Sequence, residues 1–416
     1  MIVWTQSRIR RLMEQARQAR GAIESLFVDD AISQPDSKWA WGQFFHDTRE
    51  HKQYGIYGTS AGTQVLILAG RGPGNRHVLG ARKLLQESYT SQDQNNRFYK
   101  DHHYHLIYKL TSLIEAEIAD QEMIAEPSAA MRDLISRLLP EQGWGEFRNS
   151  DSDRDIESRI TSTAVALLAL RKYRAFRGTH ECEKAVTWLC RRLTEKAAPA
   201  IYELGLGILA LTEYRGLGDR VATLDETLAL ATSRLTEWAQ SRKRILLGAD
   251  ESHHYPASCD GSRGNRYLFF LPDCLAALAF LKVGCPQRTR RYVLNVVHFF
   301  VTNIVNKRGF RSVSRNHFCT VDHLWVYKLL SEFEVVEVSN LLPQPYYSWA
   351  TMPRLAKVVT SLVFLGIGAI GLYFNSLSAQ SRQPLSSWKF VFFSALTAVG
   401  LALFSRSVWE HIQGKN

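Results

Sequence analysis

The sequence predicts an all-α fold, an α/α toroid of about six helical hairpins followed by a C-terminal two-helix transmembrane hairpin. Three observations predict it. Apolar, helix-forming runs recur along the first 345 residues and alternate with amphipathic ones. Strand-like alternation with a period of two is scarce. Beyond residue 346 two stretches become uncharged and apolar around their whole circumference.

Residues 1–34 are expected to form one helix, about 5–27, packed outside the toroid. Its charged residues occupy the place where a secretion signal needs an apolar run. Residues 35–345 are assigned to the toroid. Apolar helices are expected to begin near residues 60, 104, 162, 201, 267 and 321, a step of roughly 40 to 65 residues that accommodates a helical hairpin and its loop. Amphipathic stretches such as CEKAVTWLCRRL and RRYVLNVVHFFVTNI supply the second helix of each pair.

A repeat is visible inside this region. Trp41-Gly42 is followed, eighteen residues after the Trp, by Thr59-Ser60 and an apolar helix. Trp144-Gly145 is followed, seventeen residues later, by Thr161-Ser162 and another. Looser copies lie at 254–281 and 308–330. The Gly-Trp-Gly loop leading into Ser-Thr-Ala-x-Ala-Leu-Leu-Ala-Leu resembles the repeat of the terpene cyclase and protein prenyltransferase superfamily, exemplified by squalene–hopene cyclase. The resemblance covers most of residues 35–335, and its motifs are structural. Trp packs and stiffens the loop, and Gly permits the tight backbone.

The catalytic signatures of that superfamily are missing. Where a class II cyclase carries its Asp-x-Asp-Asp acid, this chain reads Arg159-Ile160-Thr161-Ser162. Asp151, Asp153 and Asp155 lie upstream, in what reads as a solvated loop. Asp29-Asp30 lacks the third carboxylate of a magnesium-binding Asp-Asp-x-x-Asp. The stretch GFRSVSRNHFCTVDHLWVY resembles the zinc-binding helix entry of the prenyltransferases, but Leu324 occupies the cysteine position. No cofactor is therefore implied. Zinc is the one metal the remaining residue types could hold, through Cys259, Asp273, Cys319, Asp322 and His323.

Loops entering the inner helices of a toroid line one mouth of its cavity. Here that lining is expected to include Trp41, Tyr57, Trp144, Asp260, Arg263, Arg266, His317, Asp322 and His323, a mixture suited to a polar small molecule or a protein segment. Six widely spaced cysteines without a Cys-x-x-Cys pair read as buried free thiols. The net charge of +11 is scattered, with no run of five Lys or Arg, so charge alone does not point to direct nucleic-acid binding.

Residues 346–416 are assigned to the hairpin and a short tail. The uncharged stretches are 358–374 and 390–404, with small residues for helix packing at Gly366, Gly368 and Gly371 in the first and Ser394, Ala398 and Ala402 in the second. Flanking cations favour an inner-membrane location with the toroid on the cytoplasmic side. The combined expectation is a membrane-anchored, non-catalytic sensor or adaptor. It would bind a small molecule or protein partner, self-associate, and couple binding to the bilayer. By architectural analogy this is the plan of a bacterial defence effector. The alternative is a membrane-associated enzyme acting on isoprenoid or lipid-linked substrates.

Overall fold

The structure, a computed structural model, describes residues 4–42, 45, 56–72, 74–90, 110, 111, 113–115, 127–145, 158–195, 199–217, 220–241, 252–256, 265–269, 271–307 and 319–343. The chain divides into two compact units, Met1–Leu342 and Pro343–Asn416. Apart from Pro343, the described residues belong to the first, which is overwhelmingly helical.

The chain enters through α1 (Gln6–Asp29), capped by the Thr5 hydroxyl accepting from the Arg8 N–H. Its buried residues, Ile9, Leu12, Ala16, Ala19, Ile23 and Leu26, recur every three or four positions along one stripe. A small antiparallel hairpin follows, β1 (Ile32–Gln34) with β2 (Lys38–Ala40). The remaining helices of eight or more residues are α2 (Ile56–Leu68), α3 (Arg76–Thr90), α4 (Ala129–Ser136), α5 (Ile160–Leu170), α6 (His180–Thr194), α7 (Ile201–Glu213), α8 (Leu224–Ser241), α9 (Pro272–Lys282), α10 (Arg290–Lys307) and α11 (Thr320–Val335). Leu110, Thr111 and Leu113–Glu115 are also helical.

Two kinds of helix are present. In α5 only Leu168 escapes full burial, and in α9 every residue from Pro272 to Leu281 is buried. Such helices have neighbours on all sides. In contrast, α6 buries one stripe (Cys182, Ala185, Val186, Leu189, Cys190, Leu193). It is capped by Thr179, with Glu181 and Glu183 in its first turn and Arg191 and Arg192 in its last, the charge order the helix dipole favours. The strongly buried helices pack in a row: α2 on α11, α11 on α9, α9 on α7 and α7 on α5. The amphipathic helices cover them. Helix α3 lies on α2, α6 and α8 lie on α7, and α10 lies on α9, while α1 spans α10, α11 and α2. One continuous hydrophobic core runs through the assembly.

The Trp repeat is reproduced atom for atom. The Trp41 N–H donates to Thr59 Oγ1 (3.3 Å) and the indole Nε1 to the Phe27 carbonyl (2.6 Å). The Trp144 N–H donates to Thr163 Oγ1 (2.9 Å) and its indole to the Leu134 carbonyl (2.7 Å). Thr59 and Thr163 are each the fourth residue of their helix. The equivalent of Thr59 is thus Thr163 rather than Thr161, the Trp-to-Thr spacing being 19 residues in the second copy and 18 in the first. Gly62 faces the Trp41 ring and Gly58 the Gly42 carbonyl, each without room for a β-carbon.

Helices begin near the expected positions at Ile56, Ile160, Ile201 and Thr320. The helix expected near 267 starts instead at Pro272, because Asn265–Phe269 is a strand, β4, paired antiparallel with β3 (Ser252–Pro256). The expected transmembrane hairpin, and the inner-membrane location that rests on it, must be corrected. Among the described residues no helix is long and apolar enough to cross a membrane. The uniformly buried helices α2, α5, α7 and α9 have 11 to 13 residues, well short of the roughly 20 a span requires. The longest, α1, has 24 residues but carries its charges on the face opposite its buried stripe. Stretches 358–374 and 390–404, with Gly366, Gly368, Gly371, Ser394, Ala398 and Ala402, lie outside the described residues.

Candidate functional site

A cavity of about 220 Å³ lies within the row of buried helices and receives side chains from α2, the 110–115 segment, α5, α7, α9 and α11. Its wall is apolar where Ala61, Val165, Leu209, Leu278, Val321 and Leu324 meet. Charge is concentrated toward the helix C-termini. Glu115, Arg171, Glu213, Lys282, Lys328 and Glu332 all line the cavity, and Arg171, Glu213 and Lys282 stand in or just past the last turn of α5, α7 and α9. Cations are favoured at such positions by the helix dipole.

Two ion pairs organise this rim. Arg171 meets Glu115 with both guanidinium nitrogens, at 2.6 and 3.2 Å, and also donates to the Leu168 carbonyl. Burial opposes the Glu115 charge, but the guanidinium outweighs it and holds the carboxyl below its ordinary value. Lys282 pairs with Glu332 at 2.6 Å.

Lys328 is different. It is half-buried in the cavity wall. Its ammonium donates to the Gln64 amide oxygen (2.9 Å) and lies 4.7 Å from the centre of the Trp325 ring. No carboxylate reaches it within ion-pair distance among the described residues. Burial pushes it down to about 8; the field of Glu115 opposes that fall and Arg171 adds to it. The Trp325 indole N–H is buried and has no acceptor among the described residues.

The residues expected at the mouth are distributed differently. Trp41 and Trp144 are fully buried and bonded to backbone, so they are packing elements rather than ligand contacts. Asp322 and His323 are fully buried in the first turn of α11 and do not line the cavity. The His323 Nδ1 bonds the Cys319 carbonyl (2.7 Å), its ring meets Phe45 edge-on, and burial pushes it down to about 4. Burial pushes Asp322 up to about 8, with the Cys319 thiol working against the rise. Neither Asp322 oxygen meets a donor in hydrogen-bonding geometry among the described residues. Tyr57 lies in α2 and Arg266 in β4, opposite Tyr255, while Asp260, Arg263 and His317 fall outside the described residues.

Of the zinc candidates, Asp273 accepts from the Tyr292 hydroxyl (2.6 Å) and Cys319 is buried with its thiol pushed well up by desolvation. Cys259 lies outside the described residues. Among those described, no group of three or more His, Cys, Asp or Glu is placed to hold a metal. Cys182, Cys190, Cys274, Cys285 and Cys319 are buried free thiols, in line with the sequence reading.

Sequence reasoning looked to the loops entering the helices and missed the charged rim at their other end. The available signal was a lone charge in the last turn of an otherwise apolar run: LLALR for Arg171, LALTE for Glu213 and LAFLK for Lys282. No protein-family model matches the chain, and no curated protein matches it.

Proposed function

We propose that the helical unit is an α/α toroid whose central cavity binds a small molecule, and that the protein is a non-catalytic sensor or adaptor reporting that binding to a protein partner. The observation that carries this reading is the cavity itself, lined from six helical segments by an apolar wall and a charged rim. A site shared among that many helices lets one ligand bias the packing of all of them. The row of α2, α11, α9, α7 and α5, together with the side chains contributed from 110–115, supports closure into a ring.

The test is a comparison of the purified full chain with a Leu168→Trp variant, which fills the cavity from α5. Denaturing extraction and mass spectrometry, together with a thermal-shift screen of small molecules, should give a bound or stabilising compound for the natural chain and none for the folded variant. Equal responses from both proteins would remove the cavity from the function.

A further inference from the structure

Resting on that reading of the cavity, we infer that its ligand is a monoanion with a short apolar body, such as a medium-chain carboxylate, whose charged group docks on Lys328. Four of the six rim charges cancel locally, in the pairs Glu115–Arg171 and Lys282–Glu332. The cation of Lys328 is left against an amide oxygen and a ring face, both neutral. Three positions earlier on α11, hence on the same helix face, Trp325 also lines the cavity, and its buried indole N–H has no acceptor among the described residues. A negatively charged group on a ligand would supply the counter-charge that Lys328 lacks, whereas an uncharged apolar molecule would not.

The same rim limits the charge of the ligand. Arg171 and Lys282 are already paired with Glu115 and Glu332, and the remaining rim charge, Glu213, is negative, so a second negative charge on a ligand would find no further unpaired cation in the described cavity lining. The remaining lining, Val165, Leu209, Leu278 and Leu324 among it, suits a hydrocarbon body. The rim thus selects one negative charge and rejects two.

Calorimetric titration of the full-length protein with octanoate, 1-octanol, octylammonium and octyl phosphate tests this. A charge-assisted hydrogen bond contributes about 1.5–3 kcal/mol, so octanoate should bind at least about tenfold more tightly than octanol. It should also exceed octylammonium and octyl phosphate. Lys328→Met should abolish the preference over octanol, and Lys328→Arg should retain most of it, with circular dichroism confirming that both variants fold. Octanol binding as tightly as octanoate, with Leu168→Trp blocking both, would overturn the anion while leaving the cavity reading intact. Tightest binding by octyl phosphate or octylammonium would overturn the single negative charge. Failure of every probe to bind, or binding that survives Leu168→Trp, would overturn both.

Discussion

Asp322 and His323 are neighbours in the first turn of α11, and the protein interior shifts them so that their effects on stability oppose one another. Between the ordinary carboxyl value and about 8, folded Asp322 holds a proton that the unfolded chain has released. Its contribution therefore favours the folded state at low pH, declines as pH rises through that window, and levels off above it. His323 remains neutral in the fold down to about 4, while the unfolded ring protonates below its ordinary value of 6.5. Its contribution is intact above that value and is lost as pH falls from 6.5 toward 4. Denaturant melts of Asp322→Asn should separate the two. Relative to the natural chain, the variant should gain about 3–4 kcal/mol between pH 5 and pH 8, since only the natural chain must ionise a buried carboxyl there. A pH-independent difference would mean that Asp322 is already ionised in the fold. The Lys328 prediction belongs to the same scale, because one unpaired ammonium sets the charge of the ligand.

At the scale of the element, helices α2 and α5 depend on a Trp whose indole is bonded to an earlier helix and whose backbone is bonded to a Thr in the next one. Gly62→Ala would drive a methyl group into the Trp41 ring and should cost about 1–3 kcal/mol of stability by overpacking. Gly21→Ala, on the exposed side of α1 with nothing within 4 Å of the added carbon, should raise stability by about 0.5–1 kcal/mol. Chemical denaturation of the two single variants gives the contrast directly, and equal effects would refute the packing role of the Trp. This repeat was legible in the sequence because its parts lie within twenty residues of one another and each is chemically unusual. The rim was not legible. Arg171 and Glu115 are 56 residues apart and Lys328 and Gln64 are 264 apart, so the pairings depend on helix packing that local pattern does not encode. A Trp on an apolar helix approach is equally suited to packing and to ligand contact, and backbone acceptors at Phe27 and Leu134 decided for packing.

Within the helical unit, the first helix and the hairpin after it are fastened to the unit's last long helices. Trp4 Nε1 donates to Asn295 Oδ1 (3.0 Å), Arg20 reaches both Ser331 and Glu334, and the Thr320 hydroxyl donates to the Gly42 carbonyl (3.2 Å). These links span roughly 280 to 310 residues of sequence, so they close loops that take in most of the helical unit. Arg20 carries the most polar contact among them. Its Nε lies 2.7 Å from Glu334 Oε1, its NH2 donates to Oε2 at 3.1 Å, and the Glu334 side chain is only 9% exposed. Arg20→Met would leave that carboxylate with the more exposed Arg17 as its partner, at 3.6 Å. The expected loss is about 1–3 kcal/mol, below the cost for a fully buried pair because Arg20 is itself partly solvated. If the ends form one cooperative clasp, amide hydrogen exchange in this variant should quicken together in α1 and α11, elements almost three hundred residues apart. Faster exchange in α1 alone would make it a peripheral helix that frays independently, and the cavity on α11 would then be insulated from the N-terminus.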